Sequence, residues 1–118
     1  MGIRTLNRHQ REQANKYRVN VIEMRHLHFD FLNTLQSPLY VSLDIDVLVP
    51  AFAPGVLHHE PGGLTTRQLV RIIQNMEVNI VGTDPVEYNP IRDINNMTAM
   101  VCYKLFKEPI DKMDEPVA

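Results

Sequence analysis

The 118-residue chain lacks most of the features that mark specialised classes of protein. It has a single cysteine, Cys102, which excludes an internal disulfide and any metal site built from cysteines. It has no excess of positive charge: 12 Lys+Arg stand against 14 Asp+Glu, for a formal net charge of −2. A nucleic-acid-binding module normally shows its basic face in that total. No apolar run approaches the roughly 18 residues a membrane span requires, and the polar opening residues do not follow a signal-peptide pattern. There is no internal repeat, low-complexity tract or inter-domain linker. What is present is ordinary globular composition, with 44% hydrophobic and 22% charged residues. The length suits one domain, which at this size buries about two-thirds of the surface its unfolded chain exposes, so a packing partner matters to its stability.

The elements alternate in type. Residues 7–17 (NRHQREQANKY) are polar, nearly free of breakers, and predict a surface helix. Residues 19–24 (VNVIEM) alternate apolar and polar, the period of a strand. Residues 26–35 predict a short helix, and residues 39–45 (LYVSLDI) a buried strand. Pro50, Pro54, Gly55, Pro61, Gly62 and Gly63 then make residues 46–63 a long loop, and long ordered loops tend to be functional. Thr65 and Gln68 have capping-box spacing at the head of a helix over 65–76, with Leu64 and Leu69 placed as a hydrophobic staple. Residues 78–83 (VNIVGT) predict a second buried strand. A closing helix, capped by Asn96 or Thr98, is expected to run to Lys107 with Met97, Met100, Val101 and Leu105 inward. Met76, Met97 and Met100 read as core filler rather than a cofactor box, and residues 108–118 as a polar tail.

Strands separated by helices imply a parallel sheet and an α/β fold, with chemistry at the carboxyl ends of the strands. Both acidic clusters, Asp44/Asp46 and Asp84/Glu87, are expected at or just past strand ends. In an extended strand Asp44 and Asp46 point the same way, and two such carboxylates in a dry site are relieved by a divalent cation. The residues alone leave alternatives open. The two acids could cap the following loop or pair with arginine. Asp44 and Asp46 also fit the nucleophile and general acid of an aspartyl phosphotransferase of the haloacid-dehalogenase type, but the later sequence supplies only Thr83 among that chemistry's further groups. His58 and His59, in a loop, read as solvated rather than as metal ligands. Arg67, Arg71 and Arg92 read as a solvated face or an interface pair, and Glu87 could pair with Arg92.

The run SLDIDVLVPAFAPGVLHHEPGGLTTRQL, followed by IVGTDPVEYNP and RDINNMTAM, resembles the carboxyl-terminal part of the ureohydrolase superfamily, the arginases, agmatinases and formiminoglutamases. The resemblance looks closest to the plant-type arginase and agmatinase branch. It begins at Gly2-Ile3-Arg4, similar to the family's GIR strand end, and continues to about Lys107.

The resemblance implies part of a three-layer α/β/α parallel-sheet fold with its amino-terminal half absent, the whole of residues 1–118 forming a partial domain. It implies a binuclear Mn²⁺ hydrolase that releases urea from a small guanidino compound. Asp44 and Asp46 stand where the family places a pair of metal ligands, and oxygen donors suit Mn²⁺. Glu87 aligns with the acid that holds the substrate guanidinium, and His58 lies on the loop that forms the substrate rim. The family's other ligand motifs, a histidine after Gly-Gly-Asp and an Asp-Ala-His-x-Asp, do not occur; His9, His26 and His28 fit neither. The chain by itself is therefore expected to be inactive, or to be a non-catalytic interaction or regulatory module that keeps the fold. A homo-oligomer or pairing with a longer relative is expected, in the cytoplasm or the mitochondrion, with no nucleic-acid or membrane partner. Two departures from the family pattern stand out. Val49 replaces an Asp that anchors the loop, and Pro85 is expected to end its strand early or bend it, turning Glu87 aside.

Overall fold

The first of the elements that carry the fold is the most exposed. Helix α1 (Arg8–Lys16) buries no residue, and its start is fixed locally by a capping box in which Asn7 and Gln10 satisfy each other's backbone N–H groups. The structure, a computed structural model, describes residues 1–115. After α1 come strand β1 (Leu39–Asp44), helix α2 (Thr66–Gln74), strand β2 (Ile80–Val86) and helix α3 (Met97–Met113), with short 3₁₀ turns between them.

The segment expected as a strand over 19–24 forms no strand. It makes one parallel bridge, Ile3 with Glu23, through Gly2 N–H to the Ile22 carbonyl (2.7 Å) and Met24 N–H to the Ile3 carbonyl (2.8 Å). The amino-terminal segment offers it too short a partner for a ladder. The helix expected over 26–35 is instead two 3₁₀ turns, Met24–His26 and Phe29–Thr34.

Strands β1 and β2 pair in parallel in a two-stranded sheet. One face is covered: Val41, Leu43 and Ile80 share a core with Leu69, Val70, Ile72 and Ile73 of α2 and Leu105 of α3. The helix over 65–76 is observed as α2 with Thr65 as its cap. Its capping box is formed, with the Thr65 hydroxyl accepting from Gln68 N–H (3.1 Å) and the Gln68 side chain accepting from Thr65 N–H (2.9 Å). Leu64 and Leu69 are both buried, as a staple requires.

Strand β2 runs through Pro85 to Val86, so the proline does not end it. β2 has a neighbour on one side only, and a strand of that kind accommodates a proline whose nitrogen faces the unpaired side. Helix α3 passes both Lys107 and Pro109 to reach Met113, into the segment read as a polar tail; residues 116–118 of that segment lie outside the described residues. Tertiary ties offset the local cost of the proline. Pro109 is buried, the Gln74 amide donates to Glu108 Oε2 (3.1 Å), and Lys112 Nζ donates to the Gln74 carbonyl (3.2 Å). Of the four residues expected inward on α3, Leu105 is fully buried and Val101 packs against the core. Met97 and Met100 are exposed, as is the outer side of the helix at Tyr103, whereas Met76 does fill the core.

Candidate metal and guanidinium site

Register builds the site. Asp44, the last residue of β1, pairs with Val86, the last residue of β2, so the two strands end flush and their successors emerge side by side, about 4.8 Å apart. The chain past Asp44 turns at once into a 3₁₀ turn, Ile45–Val47, in which the Asp44 carboxylate accepts from Asp46 N–H (3.0 Å). The Asp-x-Asp pair is therefore not two residues of one extended strand: Asp44 caps the turn that carries Asp46. Past Val86, Glu87 takes a left-handed backbone conformation (φ +70°). That is costly for a residue with a Cβ, and such strain collects at functional sites.

This turn carries Glu87 back over the end of β1. Ligand atoms of Asp46, His58 and Glu87 all lie within 4.8 Å of one another. Pro85 has thus not turned Glu87 aside. Arg92, the alternative partner for Glu87, reaches instead toward the Leu57 carbonyl (3.4 Å). His58 comes in on the long loop, whose exposed position had suggested mere solvation. Its neighbour His59 is turned away, with Nε2 at 2.8 Å from the Pro54 carbonyl. Asp84, read as part of the second acidic cluster, lies inside β2 and takes hydrogen bonds from Tyr40 and Ser42, outside the Asp46–His58–Glu87 group.

Electrostatics at the strand ends is lopsided. Partial burial pushes Asp46 up to about 6, and the negative charges of Asp44 and Glu87 act in the same direction against the moderating charge of Arg4. The Arg4 guanidinium forms no ion pair with these acids. It donates to three backbone carbonyls, those of Asp46 (2.6 Å), Val47 (3.0 Å) and Glu60 (2.8 Å). Thr5 adds a hydrogen bond to the Glu60 carboxylate. Glu60 lies on the rim loop that the resemblance implies, whereas Arg4 is not among the site residues the sequence suggests. A lone arginine ahead of a polar helix carries no local sign of such a role, and only the position of the GIR segment hinted at it. Together with Asp44, Asp46 and His58 they line a cavity of about 380 Å³.

The loop is also pinned from behind. Gly55 N–H donates to the Thr98 hydroxyl (2.9 Å) and the Gly55 carbonyl accepts from Asn89 N–H (2.7 Å). A Cβ on Gly55 would sit 2.8 Å from Thr98 Cβ, so this approach of loop to helix requires glycine. Asn96 stands at the N-cap position of α3, as one of the two expected candidates, but its side chain makes no cap bond. The capping carboxylate comes from Asp93, which accepts from Ile94 (2.8 Å), Thr98 (2.9 Å) and Ala99 N–H (3.0 Å) and from the Tyr88 hydroxyl (2.9 Å).

Oxygen and imidazole donors converging on uncompensated carboxylates suit a borderline-hard divalent cation such as Mn²⁺. The Arginase family profile matches residues 1–110. The chain belongs to the arginase family. It is 46% identical to the mitochondrial arginase of Medicago truncatula, over 98% of this chain and 36% of that protein. It is 35% identical to an agmatinase of Bacillus cereus, over 91% of this chain and 39% of that protein. The solved arginase from Medicago truncatula superposes with a TM-score of 0.84 at 46% identity, covering 96% of this chain and 38% of that one. A T. brucei arginase-like protein, a triple mutant bound with Mn²⁺, gives 0.84 at 30% identity, covering 99% of this chain and 42% of that one. This member of the family thus spans little more than a third of the length of the relatives it matches.

Proposed function

We infer that this chain is a portion of a Mn²⁺-dependent hydrolase that cleaves a guanidino C–N bond to release urea, and that it does not turn over by itself. The observation that carries the reading is the meeting of Asp46 and Glu87 at the flush ends of β1 and β2. Asp44 and Asp46 would hold manganese, and bound manganese supplies a water of lowered pKa at neutral pH. Glu87 accepts N–H groups of the guanidinium through both carboxylate oxygens, which fixes the plane of the substrate. Its left-handed backbone aims the carboxylate back over β1, and His58 closes the rim. Arg4 holds the Asp46 turn and the Glu60 loop in register by their carbonyls, keeping the cavity walls in place. Several of the most similar relatives are named as mitochondrial arginases, and the mitochondrion is the compartment this reading favours.

The test has two arms. The 118-residue chain with excess Mn²⁺ is expected to release no urea from arginine or agmatine; turnover abolished by Asp46→Ala would overturn inactivity alone. Placed in the Medicago truncatula arginase in exchange for the segment it matches, the same chain is expected to support urea release, and Glu87→Gln to abolish it. A folded but inactive exchange protein would favour the second reading, a non-catalytic interaction module.

A further inference from the structure

We propose that the outer side of α3 is a self-association surface, on which a second copy of this chain docks with its own α3 running antiparallel to the first. Ile94, Met97, Met100, Tyr103, Phe106 and Ile110 are large, apolar and 38 to 63% exposed. From Met97 to Phe106 they recur every third residue, a ridge that winds across the side of the helix turned away from the buried Thr98, Leu105 and Pro109. Met97 and Met100, expected inward from the sequence, thus have nothing over them among the described residues. The six leave roughly 600–700 Å² of surface open to water, above the ~300–600 Å² of the largest apolar patch on a typical monomer. That area approaches the ~800 Å² each partner gives to a standard protein–protein interface. Tyrosine and methionine are also the side chains such interfaces favour.

Charge selects the occupant and its direction. Beside the ridge the exposed charges read Lys104, Lys107, Asp111 along the helix. A two-fold axis sets the same patch against itself, and with the helices antiparallel the order reverses. Lys104 then faces the second copy's Asp111, and Asp111 faces the second copy's Lys104. Lys107, near the axis, keeps the Asp111 of its own chain, so each Asp111 is shared by two ammonium groups. A parallel pair would instead set lysine on lysine and aspartate on aspartate, which is unfavourable. The formal net charge of −2 on each chain opposes association only weakly. No residue of α3 lines the cavity at the strand ends, so the pairing leaves that site open and does not depend on urea release.

Sedimentation equilibrium of the full 118-residue chain tests the surface. The mass is expected to rise from 13.6 kDa toward twice that value, with half-dissociation at roughly 10–100 μM. Tyr103→Glu is expected to weaken the dimer at least about tenfold by burying a charge at its centre. Tyr103 is exposed, so its unfolding at a dilution where both chains are monomers should match the parent and separate lost pairing from lost fold. Val81→Lys, on the exposed side of β2, is expected to leave the dimer unchanged. Lys104→Glu and Asp111→Lys should each weaken it several-fold, and an equimolar mixture of the two should restore it by pairing unlike chains. A chain that stays monomeric up to about 1 mM would overturn the proposal. So would a dimer that survives Tyr103→Glu but is lost in Val81→Lys, which would place the second copy on the sheet. A mixture that associates no better than either charge variant alone would overturn the antiparallel order.

Discussion

On one face of the β1–β2 sheet Val41 and Leu43 are sealed beneath α2 and Leu105; on the other Tyr40 and Ser42 are exposed and hydrogen-bonded to Asp84 across the strands, at 2.7 and 2.6 Å. The covered face is held by area removed from water, the open face by bonds to one half-buried carboxylate. The first kind of interaction is worth kilocalories per side chain, the second little. The open face is also the one a third layer would cover in a three-layer fold, and it is free while the site residues stand at the common end of both strands. Among the described residues the chain therefore carries its own core but leaves one face of its sheet without a layer.

The largest expected effect breaks the covered face. Ile72 is fully buried in α2, and Ile72→Ala should cost about 2–5 kcal/mol through lost transfer energy and the cavity left behind. A domain of this size has roughly 5–15 kcal/mol in all, so the urea midpoint should fall sharply. A midpoint shift no larger than that of an open-face substitution would mean that the two faces are not distinguished as described.

Next comes the joint between the covered face and the site. Burial pushes Asp93 upward, but hydrogen bonds from Thr98, Ala99 and Ile94 N–H and the Tyr88 hydroxyl outweigh it and hold the carboxyl at about 2. A carboxyl lowered in the folded state binds its proton later than in the unfolded chain. Its stabilisation is thus present above the ordinary value of 3.8 and disappears as pH falls toward 2. Asp93→Ala should lower the melting temperature at pH 7 by roughly 5 °C and flatten the acid limb of the stability curve below pH 4. An unchanged acid limb would remove Asp93 as the cap of α3.

A gain is expected at Val49. The Val49 carbonyl accepts from Phe52 N–H (2.8 Å) and Ala53 N–H (3.3 Å), so the residue heads a helical turn in the loop that leads to His58. An aspartate there can also accept from those N–H groups through its side chain. Val49→Asp should add about 0.5–1 kcal/mol, read as a higher melting temperature; an unchanged or lowered value would show that the loop needs no anchor at this position.

Legibility in the sequence follows the same division. β1, α2 with its capping box and the Pro/Gly loop were readable because neighbours in sequence determine them: alternation, a Thr-x-x-Gln cap, a density of breakers. Asp44 and Asp46 were readable as candidates through their motif. That Glu87 and His58 belong with Asp46 was implied only by the family resemblance; how they come together follows from the flush pairing of Asp44 with Val86 and from a left-handed residue after β2, neither of which has a local signature. Pro85 misled for a related reason: its effect depends on which side of β2 is paired. The segment over 19–24 has a strand's periodicity without a partner long enough to make it one, and the end of α3 is set by Gln74, far away in sequence.

The smallest effect sharpens the comparison from the open side. The hydrogen bond to Asp84 first, then burial and the carboxylate's charge, raise the Tyr40 phenol above its ordinary 10.0, while Ser42 and then Tyr40 hold Asp84 below its ordinary value. The tyrosine ring can lie across β2 because its pair there is Gly82, where a Cβ would come within 2.6 Å of it. Asp84→Asn removes the charge and keeps an acceptor. Tyrosinate absorbance should then show Tyr40 titrating closer to 10.0, while the melting temperature moves by less than about 2 °C, because exposed polar contacts contribute little. A large drop in stability with the same substitution would mean that the face carrying Tyr40, Ser42 and Asp84 is structural in its own right, and not a surface left for another layer to cover.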